Sequence, residues 1–336
     1  MAEHSTIEWT DATWSPWEGC TKVSPACDHC YAEGMNRWLR KGENWGPGAP
    51  RRIYSEDHWA KPMKWQRDAP KFHTLHGRSR RVFPSVCDPF DNEDPGLQRE
   101  RLWATIRATP ALTWLLLTKR IGNAKSMLPA DWGDGYPNVW LGATVVNQAE
   151  ADRDVPKLLA VPARVRFLSI EPMLGPVDLG RFLLRCCGHL VPGNDHGVYG
   201  TEPPQCCGQP EPSFDLDWVI AGGESGPKAR PMHPDWARSL RDQCAAAGVP
   251  FLFKQWGEWS PDDPGESGPR ERDCAGVLPS GDAALYSQGY VAPFDSSERL
   301  EANGLVRLDG RYLMSRVGKK AAGRLLDGVT HDGFPG

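Results

Sequence analysis

Seven short apolar runs, each ending in polar residues, set the tightest limit on how this chain can fold. They cover residues 13–17, 81–87, 112–117, 139–145, 165–170, 218–221 and 250–254. Between them, apolar residues recur at helical spacing over 31–41, 95–108, 121–128, 148–159 and 234–247. Strand–helix alternation of this kind predicts an α/β fold with parallel strands joined by right-handed crossovers. Seven units approach a closed eightfold barrel, so the expected architecture is a partial or irregular (β/α) TIM-type barrel. A doubly wound open sheet is the alternative. Residues 1–258 form the expected barrel, with a basic, aromatic and loop-rich insertion at 42–80 and a cysteine-rich insertion at 180–215. Residues 259–336 are expected to pack on it: a loop or lid over 260–300, a hairpin over 305–313, and a basic C-terminal helix over 315–326.

Ligands of parallel α/β folds bind at the carboxyl ends of the strands. Here those ends carry Cys87-Asp88, Thr118-Lys119-Arg120, Thr144 with Asn147, Ser169 with Glu171, Gly222-Gly223-Glu224-Ser225, and Lys254-Gln255-Trp256. Any one of these residues serves equally well as a helix cap or a loop-ordering hydrogen bond. Together they predict a polar cavity lined by Lys119, Thr144, Glu171, Glu224 and Gln255. Gly222 and Gly223 let backbone approach a ligand, and Glu224 can accept from an ammonium or cap the next segment.

The first strand leads into Cys20, with Cys27 and Cys30 following on the same loop and a helix opening at Tyr31. Three thiolates on one short loop suit a metal or an iron–sulfur cluster. A closed site wants four protein ligands, so three leave one metal position open for chemistry. On a cubane, that open iron is where S-adenosylmethionine can bind through its amino and carboxylate groups. A zinc knuckle completed by His29, or three unrelated thiols, are the other readings. Cys186, Cys187, Cys206 and Cys207 form a second group inside the 180–215 insertion, where a zinc ion would order a loop with little core of its own; a second cluster or free thiols are the other readings.

Ten cysteines without a secretory leader point to the cytoplasm and to metal ligands or free thiols. No apolar run is long enough to span a membrane, so no membrane partner is expected. A net charge of -4 advertises no global affinity for nucleic acid. Residues 31–81, however, carry twelve Lys/Arg against five Asp/Glu, interleaved with Trp38, Trp45, Tyr54, Trp59, Trp65 and Phe72. Such a stretch can hold a phosphate backbone and stack a base, or it can be a solvated insertion.

Several segments resemble a phage-associated family of three-cysteine proteins that is itself similar to a divergent branch of the radical S-adenosylmethionine superfamily. They are Ile7-Glu8-Trp9-Thr10-Asp11-Ala12-Thr13-Trp14, the three-cysteine loop, Leu117-Thr118-Lys119-Arg120, Asn138-Val139-Trp140-Leu141-Gly142, Ser169-Ile170-Glu171-Pro172, Trp218-Val219-Ile220-Ala221-Gly222-Gly223-Glu224-Ser225-Gly226, Phe253-Lys254-Gln255-Trp256-Gly257 and residues 319–328. The resemblance implies a partial TIM barrel and a [4Fe–4S] cluster on Cys20, Cys27 and Cys30. It also implies reductive cleavage of S-adenosylmethionine to a 5′-deoxyadenosyl radical, with the electron drawn from a donor such as flavodoxin or ferredoxin. Tyr31, Thr144, Gly222, Gly223, Glu224 and Gln255 become expected cofactor contacts, and Lys119, Glu171 and Glu224 expected catalytic groups. Six residues rather than the superfamily's three separate Cys20 from Cys27, and the Gly-Gly-Glu motif follows the sixth strand rather than the second. Phage context implies a DNA substrate in the infected host's cytoplasm, in its narrowest form an amino-acid-modified thymine that is isomerised. A free nucleotide, a tRNA, or a DNA photoproduct-type lyase reaction are the competing substrates and reactions. A zinc-stabilised nucleic-acid-binding module without catalysis is the reading from another class.

Overall fold

The structure is a computed structural model that describes residues 2–183, 185–186, 189–190, 216–261, 274–277, 280, 283–286 and 312–336. Its centre is a seven-stranded, wholly parallel sheet. The strands are β1 (Ala12–Thr13), β2 (Arg80–Phe83), β3 (Leu112–Thr118), β4 (Val139–Thr144), β5 (Val165–Ile170), β6 (Trp218–Gly222) and β7 (Phe251–Gln255). Spatial order follows chain order from β1 to β7. A doubly wound sheet reverses direction at a switch point. This one never reverses, and it curls into a half-barrel. Helices α1 (Tyr31–Arg40), α2 (Glu56–Arg67), α3 (Ala69–His76), α4 (Gln98–Ala108), α5 (Ile121–Met127), α6 (Gln148–Leu159) and α7 (Pro234–Ala247) occupy the connections. Among the described residues no helix is long and apolar enough to cross a membrane.

The strands are apolar on both faces, as parallel strands covered on both sides must be. In β3, Leu112, Trp114 and Leu116 join the main core, while Leu115 belongs to a second, smaller cluster. That second cluster also holds Trp9, Phe167, Trp218, Ile220 and Leu252, with Phe83, Trp140 and Phe334 packed on it. It fills the concave side of the sheet. Gly142 makes room for it: a Cβ there would lie 2.4 Å from the Phe167 ring. The C-terminal segment seals this plug. The Trp218 indole donates to the Gly333 carbonyl at 2.7 Å, and Phe334 packs on the Trp218 ring at 5.0 Å. The same segment bridges β7 antiparallel through Leu252 and Asp332, covering an exposed sheet edge.

Cβ direction alternates along a strand, so residues two apart share a face. Continuing the concave set toward the carboxyl ends gives Leu117, Thr144, Ser169, Gly222 and Lys254. The concave face therefore changes from aromatic to polar along its length, and the polar end is where the connecting loops gather.

Three segments differ from expectation. The 42–80 insertion is not a loop: α2 and α3 bury Trp59, Trp65 and Phe72. Most of its aromatics are core residues because α2 packs against α4 and α3 against β2, with Trp59 edge-on to Trp14 at 4.9 Å. The expected helix over 315–326 shrinks to one turn, α8 (Lys319–Ala322), bracketed by Gly318 at φ 86° and Gly323 at φ 68°. Residues just before it instead form a strand. β8 (Trp259–Pro261), β9 (Cys274–Val277), β10 (Ala283–Tyr286) and β11 (Tyr312–Arg316) make an antiparallel sheet where a loop was expected. Most of the expected 305–313 hairpin lies outside the described residues.

Candidate functional site at the barrel mouth

The cysteine loop leaves the sheet after β1 and crosses the polar end. Gly19 pairs with Cys87 beyond β2, and Ser24 caps a short 3-10 turn at Pro25–Cys27 by accepting from the Ala26 N–H at 3.0 Å. At one end of the loop, Arg120 from the β3 terminus donates to Cys20 Sγ at 3.3 Å and to the Thr21 carbonyl. At the other end, Arg230 from the loop after β6 donates to Asp28 at 3.1 Å and to the Pro25 carbonyl at 2.9 Å. A single loop thus spans the mouth from the third strand to the sixth.

Each anchor rests on buried charge. Arg120 lies 3.1 Å from Asp88 and 3.6 Å from Asp91, and Arg51 meets Asp91 at 2.9 Å and Thr21 Oγ1 at 2.8 Å. Thr118 Oγ1 and the Lys119 N–H also donate to Asp88, at 2.7 and 3.1 Å. Burial pushes the Cys20 thiol up to about 12; Asp88 adds to the rise and Arg120 opposes it. At the far anchor, Glu224 takes four contacts. Arg230 Nη2 reaches Oε1 at 2.6 Å; the Arg230 N–H and Nε reach Oε2 at 2.8 Å each, and His29 Nδ1 lies 3.1 Å from Oε2. Burial raises the Glu224 carboxyl, but the Arg230 and His29 hydrogen bonds outweigh it and hold the group below its ordinary value.

Between the anchors lie the other strand ends. Lys119 Nζ is 3.5 Å from Thr144 Oγ1. Ser169 Oγ donates to Glu171 at 3.3 Å, and Lys254 Nζ pairs with the other Glu171 oxygen at 3.1 Å. Gln255 is buried; its amide donates to the Gly223 carbonyl at 3.3 Å and to Ser225 Oγ at 3.2 Å, while its Oε1 has no partner. Tyr31 turns its hydroxyl inward to the Ser85 carbonyl at 2.6 Å; desolvation there, then Cys30, Cys87 and Glu171, raise its pKa.

Lys119, Thr144, Glu171, Glu224 and Gln255 therefore all stand at one end of the sheet, as their strand-end positions predict. Two expected roles change. In this arrangement Glu224 holds the cysteine loop through Arg230 and His29 instead of offering a free carboxylate to an ammonium. Gly222 and Gly223 make room for the chain itself rather than for a ligand. A Cβ on Gly222 would sit 2.8 Å from Glu171 Oε1, and one on Gly223 would sit 2.0 Å from the Trp256 carbonyl. Arg51, Asp91 and Arg230 escape sequence reasoning. Nothing in their local sequence marks them, because the contacts that tie them to the loop and to each other span long stretches of chain: 30 residues from Arg51 to Thr21, 40 from Arg51 to Asp91 and 205 from Arg230 to Pro25.

Cys20, Cys27 and Cys30 are free thiols. Their donor chemistry, three thiols on one loop over a polar mouth with a guanidinium at Cys20, fits an iron–sulfur cluster. Among the described residues, no three His, Cys, Asp or Glu side chains gather closely enough to hold a metal ion. The loop alone does not bring the thiols together. The second cysteine group lies outside the described residues apart from the backbone of Cys186, which pairs with His189 in a two-residue ladder. A separate open concavity of about 610 Å³ lies between the N-terminal segment and α3, lined by Thr10, Lys71, Phe72 and Arg80 among others; none of the strand-end residues borders it.

A family model described as protein of unknown function (DUF5131) matches residues 4–335. No curated protein and no solved structure matches the chain significantly.

Proposed function

We propose that this chain, which belongs to the DUF5131 family of proteins of unknown function, is a radical S-adenosylmethionine enzyme acting on a nucleobase. One observation carries the reading. A loop with three free thiols leaves the first strand of a parallel half-barrel and is pinned across its polar mouth by Arg120 and Arg230. Cys20, Cys27 and Cys30 would hold a [4Fe–4S] cluster, which with one electron from a donor protein supplies reductive cleavage of S-adenosylmethionine to methionine and a 5′-deoxyadenosyl radical.

The chain's own residues bind and orient. Arg120 donates to the Cys20 sulfur and sets the position of that end of the loop. Lys119 and Lys254 offer cations for carboxylate or phosphate, with Thr144 and Glu171 fixing their directions. The unpartnered Gln255 Oε1 is a ready acceptor for an N–H or O–H of the bound group. The aromatic plug of Trp9, Phe167 and Trp218 packs beneath the polar strand ends and would keep water from a bound group on that side.

In its narrowest form the substrate is an amino-acid-modified thymine in phage DNA. A hydrogen atom leaves the adduct, a C–N bond gives way to a C–C bond, and the hydrogen returns. Atoms balance, so product mass equals substrate mass. The experiment is anaerobic reconstitution, iron and sulfide analysis, and incubation with S-adenosylmethionine, dithionite and phage DNA, followed by nucleoside mass spectrometry. The expected protein is brown, with about four irons lost together in the C20A/C27A/C30A variant. An altered retention time at unchanged nucleoside mass supports the rearrangement. A colourless protein that binds zinc in place of iron overturns the enzyme reading. Turnover of S-adenosylmethionine with every DNA base unaltered overturns the DNA substrate alone.

A further inference from the structure

Helix α1 is inside out. Its polar residues Glu33 and Asn36 are buried, Asn36 completely, and they bond to the protein's own polar groups. Asn36 donates to Glu18 at 2.7 Å and to Asn44 at 3.1 Å, and Glu33 receives Lys22 at 3.0 Å. Met35, Trp38 and Leu39 face solvent, with Trp38 83% exposed, and Tyr31 is exposed beside them although its hydroxyl turns in to the Ser85 carbonyl. At 100° per residue these four fall within one arc of about a quarter of the helix. A surface helix normally presents the opposite pattern, and an indole this exposed is rare. A contiguous apolar stripe on a folded surface marks an interaction site.

What covers it follows from its rim and its place. Arg37 and Lys41 flank the stripe, and the exposed arc of the helix carries no acidic residue, since Glu33 is buried. An apolar centre of Trp, Tyr and Met beside Arg is the composition of a protein interface core. The surface is a convex helix face, and Arg37 is tied to Glu33 at 2.7 Å, so apolar contact outweighs free positive charge. That balance suits a protein better than a phosphate backbone. Cys30 is the N-cap of α1, and Trp38 lies about 12 Å further along the axis at roughly 1.5 Å per residue. A protein seated on the stripe therefore abuts the cysteine loop.

We propose that the exposed face of α1 docks an acidic protein that delivers single electrons to the site held by Cys20, Cys27 and Cys30. The proposal rests on the function proposed above, in which reductive cleavage draws one electron that must first enter the chain from a donor. The test compares two reductants on anaerobically reconstituted full-length protein. Cluster bleaching is followed by stopped flow with reduced flavodoxin, an acidic one-electron donor protein, and separately with dithionite. Replacing Met35 and Trp38 together with serine should slow flavodoxin-driven reduction at least tenfold and leave the dithionite rate unchanged. R37E/K41E should do the same at low salt, with the wild-type rate falling as salt rises. Equal flavodoxin rates in wild type and both variants overturn the proposal. So does a variant that loses single-stranded oligonucleotide binding while its flavodoxin rate is unaltered, since the face then serves nucleic acid. Failure of the function reading shows separately, as absent iron. Calorimetric titration of the unloaded protein with flavodoxin then reads the surface directly: heat that the Met35/Trp38 variant loses confirms docking, and no heat rejects it.

Discussion

Replacing Arg120 with leucine tests the electrostatics beneath the cysteine loop. Its side chain is 6% exposed, and it lies 3.1 Å from Asp88 and 3.6 Å from Asp91, which are 7% and 2% exposed. R120L removes the cation these carboxylates share. Asp91 keeps Arg51 at 2.9 Å. Asp88 keeps only neutral donors: Thr118 Oγ1 at 2.7 Å and the N–H groups of Phe90 and Lys119 at 3.0 and 3.1 Å. Removing one partner of a buried ion pair costs about 3–5 kcal/mol. The three remaining donors to Asp88 place the expected loss at the lower end, about 3 kcal/mol. Urea unfolding at pH 7 measures it, with D88N and the double variant completing a cycle. The neutral amide that D88N introduces no longer needs the cation, so D88N/R120L should lose about 2 kcal/mol less than the sum of the single losses. A loss below about 1 kcal/mol in R120L, with strictly additive effects, would refute the buried network. The same variant should leave Cys20 unanchored, which limited proteolysis of residues 20–30 would show as faster cutting.

Two further outcomes follow from packing and from proton linkage. G142A should destabilise the fold by about 1–3 kcal/mol, because the new methyl meets three Phe167 ring atoms at 2.4 to 2.6 Å; a melting temperature equal to wild type would mean the plug has slack. His58 is held near a pKa of about 4, against 6.5 for the free side chain, by burial first; its bond to the Ser15 carbonyl at 2.8 Å opposes the shift. The unfolded chain takes up that proton more readily than the folded one. His58's contribution is therefore whole above pH 6.5 and is lost as pH falls toward 4, up to about 3 kcal/mol at ~1.4 kcal/mol per unit. H58Q should flatten the fall in stability between pH 7 and pH 5, and an unchanged slope would discard the assignment.

The order and direction of the strands were legible in the sequence because they depend on local pattern. Each run of residues such as Leu112–Thr118 is apolar enough to be covered on both faces, and each lies one helix away from the next. That arrangement leaves a parallel sheet in chain order as the simple solution, and it sends Lys119, Thr144, Glu171, Glu224 and Gln255 to a common end. The cysteine spacing likewise named the loop that lies over that end. Local pattern does not report which partner a side chain meets across the fold. Arg230 reaches Pro25 across 205 residues and takes the carboxylate of Glu224, which sequence alone assigned to a ligand. Gly223 reads as room for a ligand until the Trp256 carbonyl is found in that space. Trp59 and Trp65 read as stacking surfaces, yet α2 buries them, while Trp38, from the same basic and aromatic stretch, stays in solvent. Burial is decided by the neighbour that arrives from elsewhere in the chain, and only the assembled half-barrel supplies that neighbour.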